Sequence, residues 1–252
     1  MLVLAVDTST PQVTAGVVKY ADDAYETLAF EGHVDARAHN EVLTPLLLEC
    51  LQTAGLTSAD LDAVVVGVGP GPFTGLRVGM ATAASFAAAL DIPCHGVCSL
   101  DAVVRSHDLA GASDDEVADA PGLRLAVTDA RRREVYAAAY RDTDRVWGPD
   151  VAKAAEVLAK VTAAVPDGVV GAVIGSEKHC AEVAAGAPGG QESSGMISVH
   201  AQYPTPAGLV AAADLSATPE ALVPMYLRRP DATPPKPKPK SAAIPDIDLS
   251  AL

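Results

Sequence analysis

The sequence predicts an α/β protein of two related lobes, each a mixed sheet flanked by helices, and three observations carry that prediction. The first is the segment Gly67 to Leu90, GVGPGPFTGLRVGMATAASFAAAL. The apolar, β-branched run leading into it reads as a strand buried on both faces, and a glycine-proline turn then opens a helix of small residues. The second is an internal echo. Residues 2–18 (LVLAVDTSTPQVTAGVV) and 123–140 (LRLAVTDARRREVYAAAY) both begin L-x-L-A-V, reach an aspartate, Asp7 or Asp129, turn, and resume a strand at Val13 or Val135. The third is bulk: 252 residues that are 49% hydrophobic suffice for two modest cores.

Taken in order, alternation and turn residues predict strands at Leu2 to Val6, Val13 to Lys19 and Glu26 to Gly32. A helix follows from Asn40 to Ala54, with Leu43, Leu47, Leu51 and Ala54 at helical spacing and a first-turn kink at Pro45. After the buried strand near Asp62 and the helix from Thr74 to Leu90 comes a strand at Ile92 to Val97. Ser99 reads as the N-cap of a helix through Leu109. The acidic segment Gly111 to Gly122 reads as a loop. The second lobe continues with a helix over Val151 to Ala164, a strand over Val169 to Ile174 and a short helix from Glu177. A last helix, beginning near Thr205, returns towards the first lobe. The implied organisation is a first lobe over residues 1–110, a second over 111–203, a return over 204–228 and a disordered proline-lysine tail over 229–252.

The apolar run at the N-terminus stops at Asp7 with no basic residue before it, which reads as a strand and not a leader peptide. No uninterrupted apolar stretch reaches the roughly 18 residues of a membrane helix, so the expectation is a cytoplasmic protein without a membrane partner. Cys50, Cys94, Cys98 and Cys180 sit in apolar stretches and read as reduced core residues. Cys94 and Cys98 flank His95 on a strand, which sends neighbours to opposite faces and offers no second ligand pair for zinc. A net charge of −14 opposes nonspecific attraction to phosphate, so any role on RNA is expected to be indirect. Five basic residues and one acid between Arg228 and Lys240 make the tail a basic exception, read as a solubilising extension.

Asp7, Thr8 and Ser9, at the end of a buried strand and opening a hairpin, are how a phosphate-binding loop of the actin and sugar-kinase type begins. An ordinary hairpin turn favours the same residues. Asp129, with Arg131, Arg132 and Arg133, is the corresponding turn of the second lobe, either an anion grip or a solvated turn. The turn Gly69 to Gly75 lacks the lysine and hydroxyl of a Walker loop, and Pro70 and Pro72 have no N–H to offer. Gly75, Gly79, Ala83 and Ala87 recur every four residues along the next helix. They admit the close approach of another element, in this chain or in a second subunit. No H-x-x-x-H metal pair and no G-x-S-x-G elbow is present, so neither a metal centre nor a protease is expected.

These residues resemble the bacterial TsaB (YeaZ) family. The resemblance rests on LAVDTST at Leu4 to Thr10, AHNEVLTPLL at Ala38 to Leu47 and VGPGPFTGLRVGMATA at Val68 to Ala83. CSLDAV at Cys98 to Val103, DARRREVYAAAY at Asp129 to Tyr140 and PMYLR at Pro224 to Arg228 extend it. The glycine-proline turn is its most specific piece. AHN stands where the family more often has a serine after the histidine, and the tail lies outside the pattern.

The resemblance implies an actin-like (ASKHA) fold of two RNase H-like lobes. It also implies a non-catalytic subunit of the machinery that makes threonylcarbamoyladenosine at position 37 of tRNA. Such a subunit pairs with the catalytic TsaD-type protein, whose metal-binding histidines it lacks, and the pair engages a TsaE-type ATPase. The implied interface lies on the two first-lobe helices, at Leu43, Leu47, Leu51, Gly75, Leu76, Gly79, Ala83 and Ala87, with a homodimer through the same helices as the other occupant. No cofactor or metal is expected. The alternative is an actin-fold ATPase or small-molecule kinase with a nucleotide on Asp7, Thr8, Ser9 and Asp129.

Overall fold

The computed structural model describes residues 1–34, 39–110, 122–187 and 197–228. The expected loop over most of 111–122 and the tail over 229–252 lie outside them. The first sheet is built from β1 (Leu2–Asp7), β2 (Gln12–Ala21), β3 (Ala24–Val34), β4 (Ala63–Gly67) and β5 (Cys94–Val97), in the order β3-β2-β1-β4-β5. The second uses β6 (Leu123–Asp129), β7 (Glu134–Arg141), β8 (Asp144–Lys153), β9 (Val170–Gly175) and β10 (Ser198–Ala201), in the order β8-β7-β6-β9-β10. The two orders are the same. In each half the first strand pairs antiparallel with the second and parallel with the fourth. The echo between residues 2–18 and 123–140 is therefore a repeat of architecture.

The helices follow the same repeat. Between third and fourth strands stand α1 (His39–Thr53) and α4 (Ala154–Ala164), and between fourth and fifth stand α2 (Phe73–Leu90) and α5 (Glu177–Ala184). After the fifth come α3 (Ser99–Leu109) and α6 (Pro206–Ala211). Alternation along β1 shows how layers form. Leu4 and Val6 point to a core shared with Leu43 and Leu47 of α1 and Leu76 of α2, whereas Val3 and Ala5 point to Leu209 and Val210 of α6. Complete burial of such side chains stabilises by about 1.5 to 3 kcal/mol each.

The last helices cross between halves. Leu100, Val103 and Val104 of α3 pack on Ala126, Ala138 and Ile174 of the second sheet, while α6 returns to the first. Asp101 of α3 accepts hydrogen bonds from the Tyr140 hydroxyl (2.7 Å) and from Arg145 (2.9 Å), fastening that helix to β7 and β8. The helices α3 and α6 meet at Gly208, where a Cβ would collide with the Ser106 side chain. Ser106 Oγ accepts the Thr205 N–H at 2.8 Å.

Several expectations need correction. Val151 to Lys153 are not helical: β8 keeps its ladder with β7 through Lys153, opposite Glu134, and α4 starts one residue later. The strands β8 and β10 were not read from the sequence, because β8 is interrupted by Gly148–Pro149 and largely exposed, and β10 is a four-residue edge. Pro45 sits at the seventh residue of α1, which runs through it. The helix α2 is long and apolar enough by length and composition to cross a membrane, but it lies on the first sheet. All four cysteines are free, and Cys94 and Cys98 belong to different cores. Burial pushes the Cys98 and Cys180 thiols up to about 12.

The contact of α3 with β10 makes stability sensitive to acid. His200 stands 4.6 Å, edge to face, from His107, and its Nε2 has no hydrogen-bond partner. Burial, then the His107 charge, lowers its pKa below the ordinary 6.5. A depressed imidazole binds its proton later in the folded than in the unfolded chain, so stability is lost as pH falls from about 6.5 through the folded value. Melting temperature is expected to fall between about pH 7.5 and 5.5, with a smaller fall in His200→Asn. An equal fall in both proteins would assign the sensitivity elsewhere.

Candidate functional site

The carboxyl ends of β1 and β4, the glycine-proline turn and the start of α3 converge on Asp7. Its carboxylate is fully buried. Oδ1 accepts the Ser9 N–H at 2.8 Å and the Ser9 hydroxyl at 2.6 Å, and Oδ2 accepts the Ser99 hydroxyl at 2.5 Å. Ser99 Oγ accepts in turn from the Gly69 N–H at 3.3 Å. Ser99 is thus not an N-cap: Cys98 holds that position, and the Ser99 hydroxyl, from the first turn of α3, ties the turn to Asp7. Thr8 Oγ1 donates to the Gly75 carbonyl at 2.7 Å. Asp7, Thr8, Ser9 and Thr10 are all at most 2% exposed. Asp7, Thr8 and Ser9, the residues the sequence offers to a nucleotide, are thus buried, with Thr8 bonded to the turn at Gly75 and Asp7 to Ser9 and Ser99.

The small-residue stripe is also internal. Gly75, Leu76, Gly79, Ala83 and Ala87 are buried, and a Cβ on Gly79 would strike the Thr8 hydroxyl. Leu43, Leu47 and Leu51 of α1 are at most 4% exposed, within the same core. The eight residues expected at a partner interface therefore hold the two helices to their own sheet. The opposite face of α2 is open, and it carries a second small-residue row, Ala81, Ser85 and Ala89, all exposed. Between that row and Thr44 of α1 runs a groove of about 560 Å³, walled by Phe86 and Leu90. Leu48, four residues after Thr44 along α1, is 55% exposed.

The head of α2 carries exposed aromatic rings of its own. Phe73 stacks on Tyr226 with ring centroids 5.0 Å apart, and the Arg77 guanidinium lies 4.0 Å over the Phe73 ring. Tyr226 belongs to an irregular strap that follows α6. Its Met225 N–H donates to the Val68 carbonyl at 2.8 Å, and Arg228 reaches the second half, donating to the Ala130 carbonyl at 2.8 Å and pairing with Glu134 at 3.0 Å. Only the motif PMYLR pointed to this strap in the sequence.

Asp129 occupies in the second half the place of Asp7 in the first, with a different outcome. No long turn follows β9, and the Asp129 side chain remains 22% exposed. The Arg131 N–H donates to Oδ1 at 2.8 Å, Arg131 Nε stands 3.8 Å from Oδ2, and His179 Nε2 stands 3.6 Å from Oδ1. Among the described residues no three His, Cys, Asp or Glu side chains converge as a metal ion requires.

Two sheets of one strand order, exchanged terminal helices and paired aspartates at equivalent strand ends define the class: a two-lobed, actin-like α/β protein. A protein-family model described as TsaD: tRNA N6-adenosine threonylcarbamoyltransferase matches residues 33–182, well over half of the chain. The chain belongs to that family, in its TsaB (YeaZ) group. Uncharacterized proteins of Mycobacterium leprae and Mycobacterium bovis are 48% and 49% identical over 92% of this chain, which spans 56% of the first and 94% of the second. The Escherichia coli tRNA threonylcarbamoyladenosine biosynthesis protein TsaB is 33% identical over 148 residues, 58% of each chain. The solved structure of YeaZ from Pseudomonas aeruginosa has the same fold, with a TM-score of 0.59 at 22% identity over 84% of this chain and 89% of that one.

Proposed function

We propose that this chain is the subunit that binds and supports a TsaD-type catalytic protein in making threonylcarbamoyladenosine on tRNA, in the cytoplasm and with only indirect contact to tRNA. The observation that carries this reading is the outer surface of α2. That helix is apolar along 18 residues, yet only 33% of it is buried. Soluble monomers rarely leave a contiguous apolar face uncovered, and a row of alanine and serine lets a partner helix approach closely. The name of the E. coli relative and that of the matching family model support the same pathway. The burial of Asp7, Thr8 and Ser9 fits a chain that supplies no group to the transfer step, and the net charge of −14 disfavours direct grip on phosphate.

In this reading a TsaE-type ATPase engages the assembled pair, and a second copy of the chain occupies the same helices when the catalytic subunit is absent. The purified chain is expected to leave tRNA unmodified alone and to restore modification when mixed with the TsaD-type subunit, with which it co-elutes on size exclusion. Separate elution under conditions where the modification reaction runs would remove the proposal.

A further inference from the structure

Ser176 stands between β9 and α5, at the carboxyl end of a parallel strand, where a strand-to-helix turn presents a side chain above the sheet. It is the N-cap residue of α5, yet its hydroxyl makes no capping bond to that helix. The hydroxyl lies instead 2.6 Å from Nδ1 of His179. The other ring nitrogen, Nε2, faces Asp129 Oδ1 at 3.6 Å, at the end of the adjacent parallel strand β6. Hydroxyl, imidazole and carboxylate thus follow the order of nucleophile, base and orienter, with the two ring nitrogens exchanged relative to the serine proteases.

A cleft of about 420 Å³ opens on Ser176, walled by Gln12 and Phe30 from the first sheet and by Gln202 and Tyr203 after β10. That volume suits a small organic molecule. Side-chain amides can orient a carbonyl, Phe30 supplies an apolar wall, and Glu177 at the same cleft disfavours anions. The hairpin that places Asp129 holds Arg131, Arg132 and Arg133 at φ of 64°, 54° and 63°. Left-handed backbone is unfavourable for ordinary residues, and such strain clusters where function requires a fixed geometry.

We propose that Ser176, His179 and Asp129 form a hydrolytic relay for small uncharged esters. Ser176 Oγ adds to the ester carbonyl while its proton passes to His179 Nδ1, and Asp129 holds the Nε2–H side of the ring. The bond to the leaving alcohol breaks, the alcohol takes the proton from Nδ1, and an acyl-serine remains. Water then adds to the acyl carbon, giving its proton to Nδ1. Ser176 departs with that proton as the carboxylic acid is released.

The test uses the full chain without a partner, with an alkyl fluorophosphonate and with p-nitrophenyl acetate. The expected results are phosphonylation at Ser176, located by peptide mass, and turnover that falls about 100-fold or more in Ser176→Ala and in His179→Gln. Ser176→Cys is expected to retain an acyl adduct. A folded native protein that remains unlabelled, a label on another residue, or undiminished turnover in Ser176→Ala would overturn the relay. None of these results bears on partner binding, which the co-elution experiment decides separately.

Discussion

Gly67→Ala is expected to destabilise this protein severely. A Cβ at Gly67 would collide with Asp7 Oδ2 and lie 2.6 Å from Ser99 Oγ. Neither neighbour is free to yield. Asp7 is held from its other oxygen by both donors of Ser9, and Ser99 is fixed in the first turn of α3, whose Leu100 and Val103 are buried in the second core. Displacing the carboxylate leaves a buried charge without its donors, a change that costs about 3 to 5 kcal/mol. Domains of this kind are stable by about 5 to 15 kcal/mol, so a large part of the margin disappears.

Urea unfolding of the variant should show a midpoint far below that of the native chain, or no soluble protein. Gly55→Ala is the matched control. It has a positive φ of 68° but nothing within 4 Å of the added atom, so it carries backbone strain alone, roughly 1 to 2 kcal/mol. Equal midpoints for the two variants would mean that the Asp7 cluster is not what holds the turn.

The sequence made the architecture legible where burial is two-sided and repeated. The run at β4 and the shared L-x-L-A-V openings of β1 and β6 are such places, since a fully buried strand leaves an apolar, β-branched record. Edges leave little: β8 is half exposed with no clean alternation, and β10 is only four residues long. At the candidate site the difficulty is of another kind. The helix α2 is small on two sides, with Gly75, Gly79, Ala83 and Ala87 on one and Ala81, Ser85 and Ala89 on the other. Periodicity detects both rows equally and cannot say which faces the sheet. The glycines decide it, because only a Cβ-free position accepts the Thr8 hydroxyl at that distance. Ser99 shows the same limit, since a serine ahead of an apolar run signals a cap whether its hydroxyl turns to its own helix or to Asp7.

Ser85→Arg is expected to abolish partner binding while leaving the monomer intact, and the contrast with Ala83→Arg is what gives the experiment its force. Ser85 is exposed on the outer row of α2 and lines the groove that Thr44, Phe86 and Leu90 also form. An arginine there is at least as good a helix former as serine, and exposed substitutions usually change stability by no more than about 0.5 kcal/mol. For a helix docking against Ala81 and Ala89, the same arginine is a bulky charge inserted where backbones must approach. Truncations at interface anchors already cost about 2 kcal/mol or more, so a steric and charged block should weaken the proposed TsaD-type complex by at least roughly 100-fold. Calorimetry and size exclusion with that subunit measure this directly, and Ser85→Ala should bind normally. Ala83 is completely buried one turn-face away, so Ala83→Arg should fail as a monomer before any partner is added. Native-strength binding by a folded Ser85→Arg protein would show that the outer row of α2 is not the docking face, and the apolar surface around Phe73 and Tyr226 would then be the next place to look.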